Sequence, residues 1–147
     1  MQLRKDISKE LHVAKKEIMI DVSSNAYPSI FFRFLIDSKA DIDLKAEKLV
    51  AYVHFFTVPM GKVTWHRMEE RLKINSVNDI EAKGSAWVTV HFTPPFSVFK
   101  SNLATDWKLN GILVFSSDIG DISKHFSVDF RAKKEEVKKV LQIYPNL

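Results

Sequence analysis

Cysteine is absent from all 147 residues. That excludes a disulfide framework, a thiolate metal site and a cysteine nucleophile, and it leaves the redox compartment open. Glycine occurs only four times, and none of these sits in a phosphate-cradling loop of either standard kind. No GxSxG nucleophile elbow is present, so Ser-His-Asp catalysis finds no support. The five histidines, His12, His54, His66, His91 and His125, are scattered, and none pairs at a zinc spacing such as HExxH. His54 and His91 would meet only if their strands were neighbours in one register. No apolar run approaches the roughly 18 residues that a membrane helix needs. Met1 to Lys16 is charged throughout, so no secretory signal is read there.

What remains is 46% hydrophobic and 27% charged, the composition of an ordinary soluble globular protein. The length suits one domain with its own core. The net charge of +4 is unevenly placed. Residues 1–20 carry five cations against three anions and residues 131–147 carry five against two, which leaves the 110 residues between at −1. A basic character confined to the ends is not that of a nucleic-acid platform, so nucleic acid is not expected as a partner. The expected location is the cytoplasm, or the soluble part of a membrane-anchored protein.

Hydrophobic periodicity supplies the architecture. Leu3, Ile7, Leu11 and Ala14 have helical spacing and predict a short helical lead-in over 1–16. From Glu17 the period becomes two, with Ile18, Ile20 and Val22 on one face. Ile30, Phe32, Phe34 and Ile36 form the next inward set, and Phe31, Arg33, Leu35 and Asp37 face the other way. After the polar loop "DSKADID", Leu49, Ala51, Val53 and Phe55 alternate with Val50, Tyr52, His54 and Phe56. Pro59 and Gly61 predict a turn. "KVTWHRMEERLKINSV" reads as a strand leading through a charged connection to Leu72 and Ile74. "SAWVTVHF" alternates Ala86, Val88, Val90 and Phe92 inward against Trp87, Thr89 and His91, and Pro94 with Pro95 ends it. "FSVFKSNLATDW" reads as a mixed connection. Leu109 to Phe115 and Ile122 to Phe130 form a final hairpin about Asp118 and Gly120. Val137, Val140, Leu141 and Tyr144 then stripe a C-terminal amphipathic helix.

About seven strands with turns between them predict an all-β fold: an antiparallel immunoglobulin-like sandwich with a short N-terminal helical lead-in and a C-terminal amphipathic helix. The expected organisation is a charged lead-in over 1–16, a sandwich over 17–130 and a basic helix over 131–147.

Three segments in this order, "SIFFRFLIDSKADIDLKAEKLVAYVHFF", "IEAKGSAWVTVHFTPPF" and "WKLNGILVFSSDIGDISKHFSVDF", resemble the water-stress and hypersensitive-response domain of the type 2 late embryogenesis abundant proteins. The resemblance spans about residues 17–130. Asp37-Ser38-Lys39-Ala40-Asp41 stands where that family has Asn-Pro, and the basic C-terminal helix is an addition. The resemblance implies an immunoglobulin-like or fibronectin-III-like sandwich and a stress-related role associated with lipid or protein partners. It brings no catalytic residues, and no cofactor is expected.

The candidate sites follow from these placements. Asp37, Asp41 and Asp43 have oxygen ligands suited to calcium, but they lack the glycine and terminal glutamate of an EF-hand, so the turn reading is preferred. The same turn reading covers Asp118 and Asp121. Tyr52, Phe56 and Trp87 are a candidate interaction patch if they share an outer face. Lys133, Lys134, Lys138 and Lys139 are candidate contacts to an anionic membrane surface, against the alternative that the helix packs its apolar stripe and leaves them in water. The leading functional expectation is a non-catalytic binding or structural module with a protein partner or a second copy, since open edge strands admit a homodimer. The alternative is the soluble domain of a membrane-associated assembly with basic termini near the lipid, and a metal-dependent hydrolase ranks third.

Overall fold

The computed structural model describes residues 4–21, 28–57, 64–68, 72–93 and 106–143. A short helix, α1 (Arg4–Lys9), leads into eight strands: β1 (Leu11–Asp21), β2 (Ser29–Ser38), β3 (Lys45–Thr57), β4 (Thr64–Met68), β5 (Leu72–Val77), β6 (Ser85–Phe92), β7 (Asp106–Ser116) and β8 (Ile122–Arg131). A final helix, α2, covers Lys134–Ile143. The turn expected at Pro59 and Gly61, most of the connection from Phe96, and Tyr144 lie outside the described residues.

The strands form two four-stranded antiparallel sheets. Sheet I has the order β1-β2-β6-β5 and sheet II the order β4-β3-β7-β8. Lettered along the chain, these orders are the A-B-E-D and C′-C-F-G sheets of the immunoglobulin architecture. The described strands number eight where the periodicity suggests about seven. The difference lies in the segment after Lys62, which is not one strand but two: β4 pairs with β3 in sheet II, whereas β5 pairs with β6 in sheet I.

Alternating residues of both sheets meet in one core. Sheet I contributes Ile30, Phe32, Phe34 and Ile36 from β2 and Val88, Val90 and Phe92 from β6; sheet II contributes Val53, Leu109, Leu113, Phe115 and Phe130, among others. Trp107, near the start of β7, is fully buried in this core, its ring centroid 5.8 to 6.1 Å from those of Phe32, Phe55 and Phe92. Edge-on and tilted geometries at such distances suit the ring quadrupoles. Gly111 lies on the inward face of β7 opposite Phe126, and a Cβ there would fall 2.5 Å from Phe126 Cζ and run into the Val50 carbonyl oxygen. Phe126 is thus free to lean across the strand and reach Phe34, at 5.0 Å between centroids.

The N-terminal boundary differs from the expectation. β1 begins at Leu11, not Glu17, and the lead-in belongs to the sandwich: Ile7 and Leu11 are fully buried. His12 to Glu17 is a strand by its pairing with β2, yet its side chains are exposed on both faces, with an irregularity between Val13 and Lys15. A strand segment that overhangs the core has no apolar alternation to read.

β1 and β8, the outer strands of the two sheets, lie together along one side of the sandwich. α1 closes one half of this seam. Its Ile7 is buried in the core, and Lys124 of β8 donates from Nζ to the Ser8 carbonyl at 3.1 Å, satisfying an acceptor at the helix C-terminal end. At the opposite end of β8, α2 buries Val137 and Val140 in the same core.

Candidate binding face and acidic loop end

The outer face of sheet I is built in cross-strand rows. One row runs Met19, Phe31, His91; the next Glu17, Arg33, Thr89; the third Lys15, Leu35, Trp87. Side chains directly opposite on antiparallel strands lie about 5 Å apart at Cβ, close enough to act as units. Phe31 and His91 stack with centroids 4.2 Å apart and planes within 5°. Arg33 donates from Nη1 to Glu17 Oε1 at 2.6 Å, and its guanidinium carbon lies 4.5 Å from the Trp87 ring centroid. One cation therefore holds both a carboxylate and an aromatic face. In the neighbouring row Met19 is 51% exposed, and Phe31, Leu35 and Trp87 are half-buried on the same face.

The patch expected from Tyr52, Phe56 and Trp87 is not assembled. Tyr52 stands in β3 of sheet II, in register with Asn110, and Trp87 stands in β6 of sheet I. Both lie on outward positions, so the core separates them. Phe56 pairs with Trp65 in sheet II, and its side chain lies outside the described residues. Alternation tells inward from outward, but it does not tell which sheet a strand joins. The same crossover separates His54, in β3, from His91, in β6. The partners of Trp87 are instead Arg33 and Leu35 of β2, already marked by alternation as a partly solvated second face.

At the loop end beside α1, "DSKADID" meets the β5–β6 connection and the β7–β8 turn. Asp43 Oδ1 accepts the Ala82 N–H at 2.8 Å and Asp79 Oδ1 accepts the Ala46 N–H at 2.7 Å. Leu44 and Ile80 exchange two backbone hydrogen bonds at 2.7 and 2.8 Å, and both side chains are buried beneath. Asp41 pairs with Lys83 at 3.1 Å, and Ser38 Oγ accepts the Ala40 N–H. Asp37 remains on β2 with its side chain exposed. These carboxylates brace backbone and do not converge. Among the described residues, no group of three or more histidine or acidic side chains is placed to hold a metal ion. In the β7–β8 turn, Ser117 and Gly120 exchange backbone bonds at 3.0 and 3.1 Å, with Gly120 at a φ of 109° that only glycine adopts readily.

At the far ends of β7 and β8, Arg131 Nε donates to Asp106 Oδ1 at 2.7 Å and Nη2 to Oδ2 at 3.4 Å. These bonds, and then the carboxylate charge, raise the guanidinium pKa above its ordinary value. Beyond them, Lys133, Lys134, Lys138 and Lys139 are all exposed while Val137 and Val140 are buried, so α2 packs its stripe and turns its lysines to water. Among the described residues no helix is long and apolar enough to cross a membrane.

No family model and no curated protein matches this sequence. Among solved structures, the chain is similar to the X-ray structure of Northeast Structural Genomics Consortium target SoR45, at 11% identity and a TM-score of 0.49 over 86% of this chain and 89% of that one. It is also similar to the solution structure of a protein titled as a candidate late embryogenesis abundant protein, at 9% identity and a TM-score of 0.33 over 82% and 74%. At these scores neither likeness carries weight for fold or function. The sandwich rests on its own strand order and register.

Proposed function

We propose that this chain is a non-catalytic binding or structural module whose working surface is the outer face of sheet I, centred on Arg33 and Trp87. The observation that carries the reading is the outward apolar ladder of Met19, which is exposed, and Phe31, Leu35 and Trp87, which are half-buried, around one ion pair. Large apolar side chains grouped on an outer face mark an interface more often than isolated ones do. The stress-protein resemblance of the strand pattern extends the proposal to a stress-related role. The first partner to consider is a second copy. Four strands of 6 to 11 residues offer a footprint of the order of 550 Å², near the low end of the roughly 600–1,000 Å² per partner of a standard interface. A second reading, the soluble part of a membrane-associated assembly, is favoured by the four exposed lysines of α2, each worth about 1 kcal/mol at an anionic surface.

Light scattering across a salt series, with and without anionic liposomes, separates the two. A dimer that survives salt and is lost in Trp87→Ala supports the face. Liposome binding that is lost in salt, and in a variant carrying Lys133→Glu, Lys134→Glu, Lys138→Glu and Lys139→Glu, supports the second reading instead. A monomer that ignores liposomes defeats both.

A further inference from the structure

α1 closes only one half of the seam between β1 and β8. In the other half the sheets part into a cleft of about 530 Å³, lined by Lys16 and Ile18 of β1 and by the facing ends of β7 and β8, residues 106–108 and 129–131. That volume is within the roughly 300–1,000 Å³ of small-molecule sites. The inward positions of the lining are apolar: Ile18, Trp107 and Phe130. The rim is charged: Lys108, Arg131, Asp106 and Asp129 stand at outward positions of β7 and β8, and Lys16 stands on the same face of β1 as Ile18, opposite Phe34, giving three cations to two anions.

The charges are committed unequally. Asp106 is held twice by Arg131, through Nε and one terminal nitrogen, which leaves Nη1 of Arg131 uncommitted to that carboxylate. Asp129 lies 4.0 Å from Lys108 Nζ. Lys16 is exposed and takes part in no ion pair among the described residues. Both carboxylates of the rim thus have a cation beside them, and the surplus positive charge sits on β1 at the mouth, two residues from Ile18 on the same strand face.

We infer that the cleft binds a small amphipathic anion, its apolar body against Ile18, Trp107 and Phe130 and its charged head at Lys16. A free inorganic anion would leave the apolar interior unused, and a cation would meet the net positive rim. The head group is a carboxylate or sulfonate; a body that is a single acyl chain or a flat ring system meets the same lining, and the experiment tells them apart.

Two probes serve, dodecanoate for the linear body and 8-anilinonaphthalene-1-sulfonate for the flat one. Each is titrated into the full chain below its micelle concentration and followed by the indole N–H resonances of the three tryptophans, assigned with Trp→Phe variants. The expected result is saturable binding of at least one probe that moves the Trp107 resonance. Lys16→Glu should weaken it about tenfold or more, the effect of reversing one charge beside the bound head group, with thermal unfolding unchanged because Lys16 is exposed. Binding of dodecanoate alone identifies an acyl anion as the ligand class, and binding of the sulfonate alone a flat one. The inference is overturned if neither probe binds, if the Trp87 resonance moves in place of Trp107, or if Lys16→Glu binds as tightly as wild type.

Discussion

At the loop end, Asp43 accepts a backbone N–H from the β5–β6 connection and Asp79 one from the irregular start of β3, and Leu44 and Ile80 are buried directly beneath them. On the outer face of sheet I, Glu17 and Arg33 pair with each other across strands and hold Trp87 at the surface. Both regions join acidic residues to apolar ones. At the loop end the polar groups are consumed in holding three loops together, which is a folding role. On the sheet face the strands are already held by their ladders, so the side chains outside add little to stability and remain available to a partner. Residues that look alike in sequence are separated by what their backbone needs: a loop has unpaired amides to satisfy, and a strand in mid-sheet has none.

The largest effect expected from this contrast is at the apolar anchors. Leu44→Ala or Ile80→Ala should cost about 2–5 kcal/mol, from lost burial and the cavity left behind. Trp87→Ala should cost under about 1 kcal/mol despite deleting a larger side chain, because what it loses is a partly solvated cation–π contact and some surface packing. Urea unfolding of the three variants ranks them directly, and a Trp87 variant as damaged as the Leu44 variant would erase the distinction. Next in size, Asp43→Ala and Asp79→Ala should each cost about 0.5–1.5 kcal/mol, as one hydrogen bond to a solvent-reachable amide is replaced by water. The two brace the same pair of loops, so the double variant should depart from additivity. A double-mutant cycle measures that coupling, and strict additivity would mean that the loops are held independently. On the face, Arg33→Ala should cost about 1 kcal/mol or less, the usual range for an exposed pair, and chemical denaturation should show that difference shrinking from low to high salt as the pair is screened.

Much of this architecture is legible from residues because sandwich strands carry a period of two. Phe32 and Phe34, Val88 and Val90, and Leu113 and Phe115 all point where alternation places them. The same signal fails wherever burial is not half-and-half. The first part of β1 is exposed on both faces and carries no period. Lys124 shares its strand face with Ile122 and Phe126, because its stem runs inward beneath α1 to reach Ser8. The site was less legible than the fold. Alternation marks Arg33 as an outward residue, but its contact with Trp87 depends on β2 and β6 being neighbours although 46 residues of chain, with two strands of the other sheet, lie between them. Without that pairing, alternation alone groups Tyr52 with Trp87. The braces made by Asp43 and Asp79 join loops more than 30 residues apart in the chain, whereas the turn chemistry readable in sequence is local.

The smallest expected effect tests how rigidly the loop end is held. Lys83 has a φ of 55°, in the left-handed region, while its N–H donates to the Ala40 carbonyl at 2.9 Å and its Nζ pairs with Asp41. A non-glycine residue there carries about 1–2 kcal/mol of strain. Lys83→Gly relieves that strain, but it adds about 0.5–1 kcal/mol of unfolded-state entropy and removes an exposed ion pair worth under about 1 kcal/mol. The terms nearly cancel, so the expected change is within about 0.5 kcal/mol, with stabilisation appearing at high salt, where the ion pair no longer counts. Lys83→Ala isolates the ion pair, since it removes the charge and leaves the strained conformation in place. If Lys83→Gly proved markedly destabilising while Lys83→Ala did not, the β5–β6 turn would depend on a side chain to order its backbone, and the braces from Asp43 and Asp79 would not by themselves hold the loop end.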